Sequence, residues 1–162
     1  MSQNESLEVS AKIQVEAIEP VRKEIQVSLS PEAAFRLFTD GIARWWPLRS
    51  HSVGEEKAES CVFEGRVGGR IYEIMQGGRQ AEWGRVLSYE PPRRVVFSWY
   101  PGRTQATAQE VTLTFTPVEA GTLVELVHRG WETLGEKAQE MRRGYHTGWD
   151  TVLDEFRQHA SG

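Results

Sequence analysis

A chain of 162 residues has room for one domain with a sizeable core. Its formal net charge of −4, with basic residues scattered and outnumbered, leaves no footprint for nucleic acid. The single cysteine, Cys61, excludes an internal disulfide and fits a reducing compartment, so a cytoplasmic protein is expected. The polar opening MSQNESLEVS does not read as a signal peptide, and no apolar run approaches the length of a membrane span.

Residues 1–20 are weakly patterned. Ile13, Val15 and Ala17 alternate with Gln14 and Glu16, which reads as a polar arm, an extra edge strand or a dimer contact. The remainder, residues 21–162, reads as a single domain. Val21 to Leu29 alternates as a first strand. Ser30 can cap a helix whose first turn holds Pro31 and Glu32, and Ala33, Ala34, Phe35, Leu37 and Phe38 continue it. Asp40 can cap a second short helix that runs through Trp46 and stops at Pro47. Adjacent helical residues point about 100° apart. One of Trp45 and Trp46 can therefore enter the core while the other lines a rim. A loop carrying His51 follows.

Next comes a meander. Ser60–Glu64, Arg70–Met75, Ala81–Tyr89, Arg94–Tyr100, Thr107–Thr116 and Thr122–Arg129 read as strands joined by short turns at Gly68-Gly69, Gly77-Gly78, Pro91-Pro92, Pro101-Gly102 and Gly121. With the first strand they make about seven, antiparallel in sequence order. Val111, Leu113 and Phe115 share one face, and so do Val124, Leu126 and His128. An inward His128 needs a partner or water. It is either a satisfied core histidine or a polar anchor within a cavity. Leu126 points toward the middle of the C-terminal helix, where a ring added by Leu126→Trp is expected to occupy empty space.

The C-terminal segment Glu136 to His159 organises the rest. Met141, Tyr145, Trp149, Val152 and Phe156 fall on one helical face, and no proline interrupts the run. Such a helix is on the order of 36 Å long, and a broad sheet must receive its stripe. Gly144 and Gly148 inside it serve either close packing on the sheet or space left for a ligand.

Motifs for chemistry are sparse. No H-E-x-x-H, paired-cysteine metal motif, G-x-S-x-G or phosphate loop appears, and none of His51, His128, His146 and His159 forms an i, i+4 metal pair. Cys61 sits on a strand, away from any helix N-terminus that would lower its pKa. No metal or cofactor is expected. What stands out is six tryptophans and an inward histidine, which favour an apolar or aromatic small molecule.

The order of strand, two short helices, meander and long helix resembles the START-like, or SRPBCC, superfamily, also called the helix-grip or birch-pollen-allergen-like fold. The details look most like the branch related to the C-terminal domain of the activator of the ninety-kilodalton heat-shock protein ATPase. The likeness is carried by RWWPLRSHSVG (Arg44–Gly54), RVGGRIYE (Arg66–Glu73), WGRVLSYEPPRRVVFSW (Trp83–Trp99), VELVHRGWE (Val124–Glu132) and GYHTGWDTVLDEF (Gly144–Phe156), and it covers Val21 to His159. The resemblance implies an α+β fold, with a curved antiparallel sheet wrapped around the C-terminal helix and a cavity between them. Superfamily members bind lipids, sterols, polyketides and hormones, and some are cyclases. The expected function is thus binding of a small hydrophobic or aromatic ligand, with Trp45, Trp46, Trp83, Trp99, His128, Trp131, Tyr145 and Trp149 as candidate site residues. Two other readings stand beside it. One is a chaperone-associated interaction domain. The other is a cyclase- or dehydratase-type enzyme using His128 as general base and Tyr145 as donor. Either a monomer or a homodimer fits.

Overall fold

Short apolar alternation in the meander and a single long amphipathic helix leave few ways to bury both, and the chain takes the simplest. The computed structural model describes residues 18–161. The alternation of Ile13, Val15 and Ala17, and with it most of the expected arm, lies outside the described residues. Among the described residues seven strands occur: β1 (Val21–Val27), β2 (Ala58–Phe63), β3 (Arg70–Met75), β4 (Gln80–Glu90), β5 (Arg94–Trp99), β6 (Gln109–Val118) and β7 (Gly121–Arg129). They form one antiparallel sheet in the order β1-β7-β6-β5-β4-β3-β2. Strand β1 closes beside β7, with Val21 opposite His128 and Val27 opposite Thr122. The sheet curls around a long C-terminal helix, an α+β helix-grip fold.

Helix α1 (Pro31–Phe38) begins as its sequence indicates: the Ser30 hydroxyl accepts the Ala33 N–H at 3.2 Å, and Pro31 opens the first turn. Helix α2 (Ile42–Trp45) departs from expectation. Asp40 does not cap it. The chain turns directly out of α1, so Ile42 N–H bonds Thr39 O and Arg44 N–H bonds Gly41 O. Backbone carbonyls take the donors a capping side chain would have served.

Strand β6 alternates cleanly, with Val111, Leu113 and Phe115 buried. The β5–β6, β6–β7 and β7–β1 ladders are regular. Register shifts interrupt β2–β3 at Ala58/Ser60, β3–β4 at Ile71/Tyr72 and β4–β5 at Val86/Ser88. Bulges of this kind bend a strand and raise its twist, so the curl is concentrated in the β2–β5 half. Gly84 belongs to that device: a Cβ there would lie 1.8 Å from the Ser98 carbonyl oxygen, so β4 and β5 could not approach as they do.

Helix α3 runs from Ala138 to Ser161, preceded by a 3-10 segment over Trp131–Lys137 that takes up the residues at the expected helix start. Its apolar stripe is buried unevenly. Trp149, Val152, Phe156 and also Leu153 are buried, whereas Met141 and Tyr145 are half-buried. The C-terminal half therefore meets a packed aromatic core, with Phe38–Trp45 at 4.9 Å, Trp45–Phe156 at 5.0 Å and Phe38–Phe156 at 5.3 Å between ring centroids. Polar contacts hold the outer side of the N-terminal half to the β1 edge. Arg142 Nη2 donates to Pro20 O at 3.1 Å, and Lys23 Nζ lies 2.9 Å from Asp150 and 3.0 Å from His146.

Interior space lies toward β4 and β5 rather than β7. Leu126 is buried within the core cluster beside its strand partner Leu113. The expectation that Leu126→Trp would find empty space is corrected on that ground, since close-packed interiors do not absorb added volume. Leu126→Trp is expected to lower unfolding stability by about 1–3 kcal/mol. A denaturant midpoint unchanged from wild type would show a void at β7.

Candidate functional site

Where the N-terminal half of α3 stands off the sheet, a cavity of about 310 Å³ opens. Its walls are Trp46 from the end of α2, Trp83 from β4, Trp99 from β5, and Tyr145, Trp149 and Val152 from α3. The four indoles pack into one continuous cluster along the cavity: Trp46–Trp83 is 5.0 Å, Trp83–Trp99 5.7 Å, Trp99–Trp149 5.7 Å and Trp46–Trp149 6.1 Å between centroids. The rim consists of Ser50 to Val53, Pro101-Gly102 and Gly148.

Gly144 and Gly148 do not pack on the sheet. A Cβ at Gly144 would meet nothing within 4 Å, and one at Gly148 would meet only the His51 ring at 3.8 Å. Gly148 leaves the mouth open, with His51 facing it. His51 is half-buried, and burial holds its pKa below the ordinary histidine value. Its Nδ1 lies 2.6 Å from Ser50 Oγ, and its carbonyl accepts the Trp46 indole N–H at 2.7 Å.

Glu73 on β3 holds this half of the site together. It is 0% exposed. Its Oε1 accepts Trp83 Nε1–H at 2.6 Å and Val53 N–H at 2.7 Å, and its Oε2 accepts Gly54 N–H at 2.8 Å. One buried carboxylate thus fixes both a wall indole and the rim loop. Burial, and secondarily the Glu73 charge, push the neighbouring Cys61 thiol up to about 12, so that thiol stays protonated and is no nucleophile at neutral pH.

His128 sits one layer behind the wall, 0% exposed. The Trp149 indole N–H donates to its Nδ1 at 2.9 Å. Nδ1 is therefore the acceptor, and the proton of the neutral ring is on Nε2. Burial first, and the Arg103 guanidinium second, lower its pKa to about 3. A histidine so depressed stays neutral and is a poor general base near pH 7. The Trp131 ring stacks on it at 4.2 Å, and the Trp131 indole N–H donates to the His128 carbonyl at 3.0 Å.

Of the residues singled out from sequence, Trp46, Trp83, Trp99, Tyr145 and Trp149 converge on the cavity. His128 and Trp131 lie behind Tyr145 and Trp149, and Trp45 is in the opposite, packed core, its N–H bonded to Leu37 O at 2.9 Å. Glu73, bonded to the Trp83 indole, and Arg103, beside the Tyr145 hydroxyl, stand behind the walls and carry no motif. Glu73 shares the inward face of β3 with Ile71, and an inward carboxylate on an alternating strand is the signal that could have marked it. Arg103, in a turn, offers no such signal. Among the described residues no group of His, Cys, Asp and Glu is arranged to hold a metal ion, and no helix is long and apolar enough to cross a membrane.

A curled antiparallel sheet gripping a long C-terminal helix defines a START-like domain. More narrowly, the chain belongs to the family of Activator of Hsp90 ATPase homolog 1-like proteins, whose model matches residues 28–161. Among solved structures, the chain is 30% identical to Txn09, an anthrahydroquino-gamma-pyrone synthase complexed with SUM, with 87% of this chain and 96% of that one covered and a TM-score of 0.59. A Rhodobacter sphaeroides protein shares the fold at 23% identity, 87% and 88% coverage and a TM-score of 0.64. So does the Aha1 dimer from Colwellia psychrerythraea, at 19% identity, 88% and 96% coverage and a TM-score of 0.63. No curated relative matches the chain.

The His128 environment makes stability pH-dependent. The folded ring resists protonation while the unfolded one protonates below about 6.5. Its contribution is therefore complete above that value and is lost as pH falls toward about 3, at roughly 1.4 kcal/mol per pH unit. His128→Leu strands the Trp149 N–H and is expected to cost about 1–3 kcal/mol near neutral pH. The gap from wild type should narrow between about pH 6.5 and 4.5, above the ordinary carboxylate range. Urea titrations at several pH values test this, and a gap that stays constant or widens on acidification contradicts it.

Proposed function

We propose that the protein binds a small, largely apolar aromatic molecule in the cavity between α3 and strands β4–β5. The observation that carries this reading is the packed cluster of Trp46, Trp83, Trp99 and Trp149 lining about 310 Å³ of half-open space. Flat, rigid walls of this kind suit a ring system by stacking and edge contacts. The volume lies at the lower end of the roughly 300–1,000 Å³ typical of small-molecule pockets, so a compact ring system is the occupant. Gly148 keeps the mouth open at the expense of helix propensity, roughly 1 kcal/mol relative to alanine.

A cyclase- or synthase-type activity in the same cavity is the second reading, favoured by the likeness to Txn09, whose name denotes a fused aromatic product. Under it His128 does not serve as the general base, because its ring stays neutral and its Nδ1 is occupied. Tyr145 on the wall remains available as a donor. A chaperone-associated role rests on the family description alone, and a homodimer on the fold-level likeness to the Aha1 dimer.

The test is Gly148→Leu. The position is helical and unobstructed, so the substitution should leave stability equal or slightly higher, while its side chain occupies the mouth facing His51. Titration with the neutral fluorophore N-phenylnaphthylamine is expected to give saturable binding to wild type and about tenfold weaker binding to the variant. Equal affinity for both proteins would remove the cavity as the binding site.

A further inference from the structure

The indole N–H groups of this chain show one exception. Trp45 donates to Leu37 O, Trp46 to His51 O, Trp83 to Glu73, Trp131 to His128 O and Trp149 to His128 Nδ1. Trp99 alone, at the back of the cavity, has a buried Nε1–H with no acceptor in good hydrogen-bond geometry, the Tyr145 hydroxyl being the polar group beside it.

That orphan has company. Arg103 follows β5 in the turn behind Trp99. Its Nη1 donates to Thr107 O at 2.6 Å and its Nη2 to Gln109 Oε1 at 2.9 Å. Its Nε–H is buried without a partner, and among the described residues no carboxylate stands within ion-pair distance of it. His128 Nε2–H, whose proton follows from the bond that Nδ1 accepts, is likewise buried and unpaired. The three meet around Tyr145. Its hydroxyl lies beside the Arg103 guanidinium and the Trp99 indole N–H, and its ring is 4.9 Å from the His128 ring.

The balance is one-sided. Three side chains with a buried unpaired N–H pack around the Tyr145 phenol, and its oxygen is the acceptor beside Trp99 and Arg103. Buried donors are seldom left without acceptors, because their desolvation then goes uncompensated. An uncompensated guanidinium beside them favours negative charge in particular. Trp99 and Tyr145 are also wall residues, so this donor-rich corner adjoins the space a ligand would fill.

We propose that the corner formed by Trp99, Tyr145 and Arg103 is a subsite for an anionic oxygen, a carboxylate or an ionised phenol, carried on the aromatic ring that the tryptophans hold. Trp99 Nε1–H and Tyr145 O–H donate to that oxygen, and Arg103 supplies the countercharge. The ligand is then an aromatic acid or acidic phenol rather than a plain hydrocarbon or an amine. This inference rests on the cavity-binding reading and narrows its ligand.

The experiment compares three probes of one ring system by calorimetric titration near neutral pH: 2-naphthoate, the neutral carbonyl 2-acetylnaphthalene, and 2-ethylnaphthalene, which has no acceptor. The variants are Trp99→Phe, which keeps an aromatic wall and deletes the N–H, and Arg103→Gln. Arg103→Lys serves as a second variant should loss of the Thr107 and Gln109 contacts unfold the turn. Wild type is expected to bind 2-naphthoate at least about tenfold more tightly than 2-ethylnaphthalene. Trp99→Phe and Arg103→Gln should each erase most of that preference, read within each variant as the ratio of the 2-naphthoate and 2-ethylnaphthalene Kd values. Equal affinity for 2-naphthoate and 2-acetylnaphthalene would overturn the anionic assignment. Equal affinity for all three, unaffected by the variants, would overturn the subsite and leave the cavity reading intact. No binding of any probe would overturn both.

Discussion

The hydrogen bond from Trp149 Nε1 to His128 Nδ1 joins the middle of α3 to β7 inside the protein. A great deal depends on it. It satisfies the polar atom of a large buried indole, fixes the imidazole tautomer, and sets the point along the helix where close packing gives way to open space. On its C-terminal side Val152, Leu153 and Phe156 are buried against the core. On its N-terminal side Gly148 faces the cavity mouth and a Cβ at Gly144 would meet no neighbouring atom within 4 Å. Burial of such a polar pair is tolerable only because each partner answers the other.

The cavity persists because its walls are pinned. Trp83 and the rim loop share the Glu73 carboxylate, Trp46 is tied to the His51 carbonyl, and Trp149 to His128. Indoles held at both ring and N–H do not collapse into the void as freely rotating aliphatic chains would. The register shifts of β2–β3, β3–β4 and β4–β5 concentrate the curl in that half of the sheet, and Gly84 lets β4 and β5 close up behind the wall. Close packing and open space are thus divided between two ends of one helix.

Much of this was legible in the chain, and the reasons are local. Alternation at Val111, Leu113 and Phe115, the Ser30-Pro31 helix start, and the separation of Trp45 from Trp46 by one helical step all follow from backbone periodicity. Trp45 enters the Phe38–Phe156 cluster and Trp46 the cavity wall. The α3 stripe was legible as a face, but not how deeply each residue would sit, because depth depends on where the sheet curls. The bulges that set the curl leave no pattern of their own. Asp40 looked like a cap, yet the backbone of the α1–α2 turn had already used the donors it would serve. Arg103 stayed hidden because its place in the site comes from three-dimensional neighbours, Thr107, Gln109 and Tyr145, and not from any spacing in sequence.

The division of the tryptophans into wall and core is the central claim, and indole N–H resonances read it directly. Single-residue assignment of the six indole signals in a two-dimensional nitrogen–proton spectrum, followed by titration with 2-naphthoate, compares all of them in one sample. The signals of Trp46, Trp83, Trp99 and Trp149 are expected to move, Trp99 most, while those of Trp45 and Trp131 stay in place. Movement of Trp45 and Trp131 with the other four unmoved would contradict a ligand site between α3 and strands β4–β5.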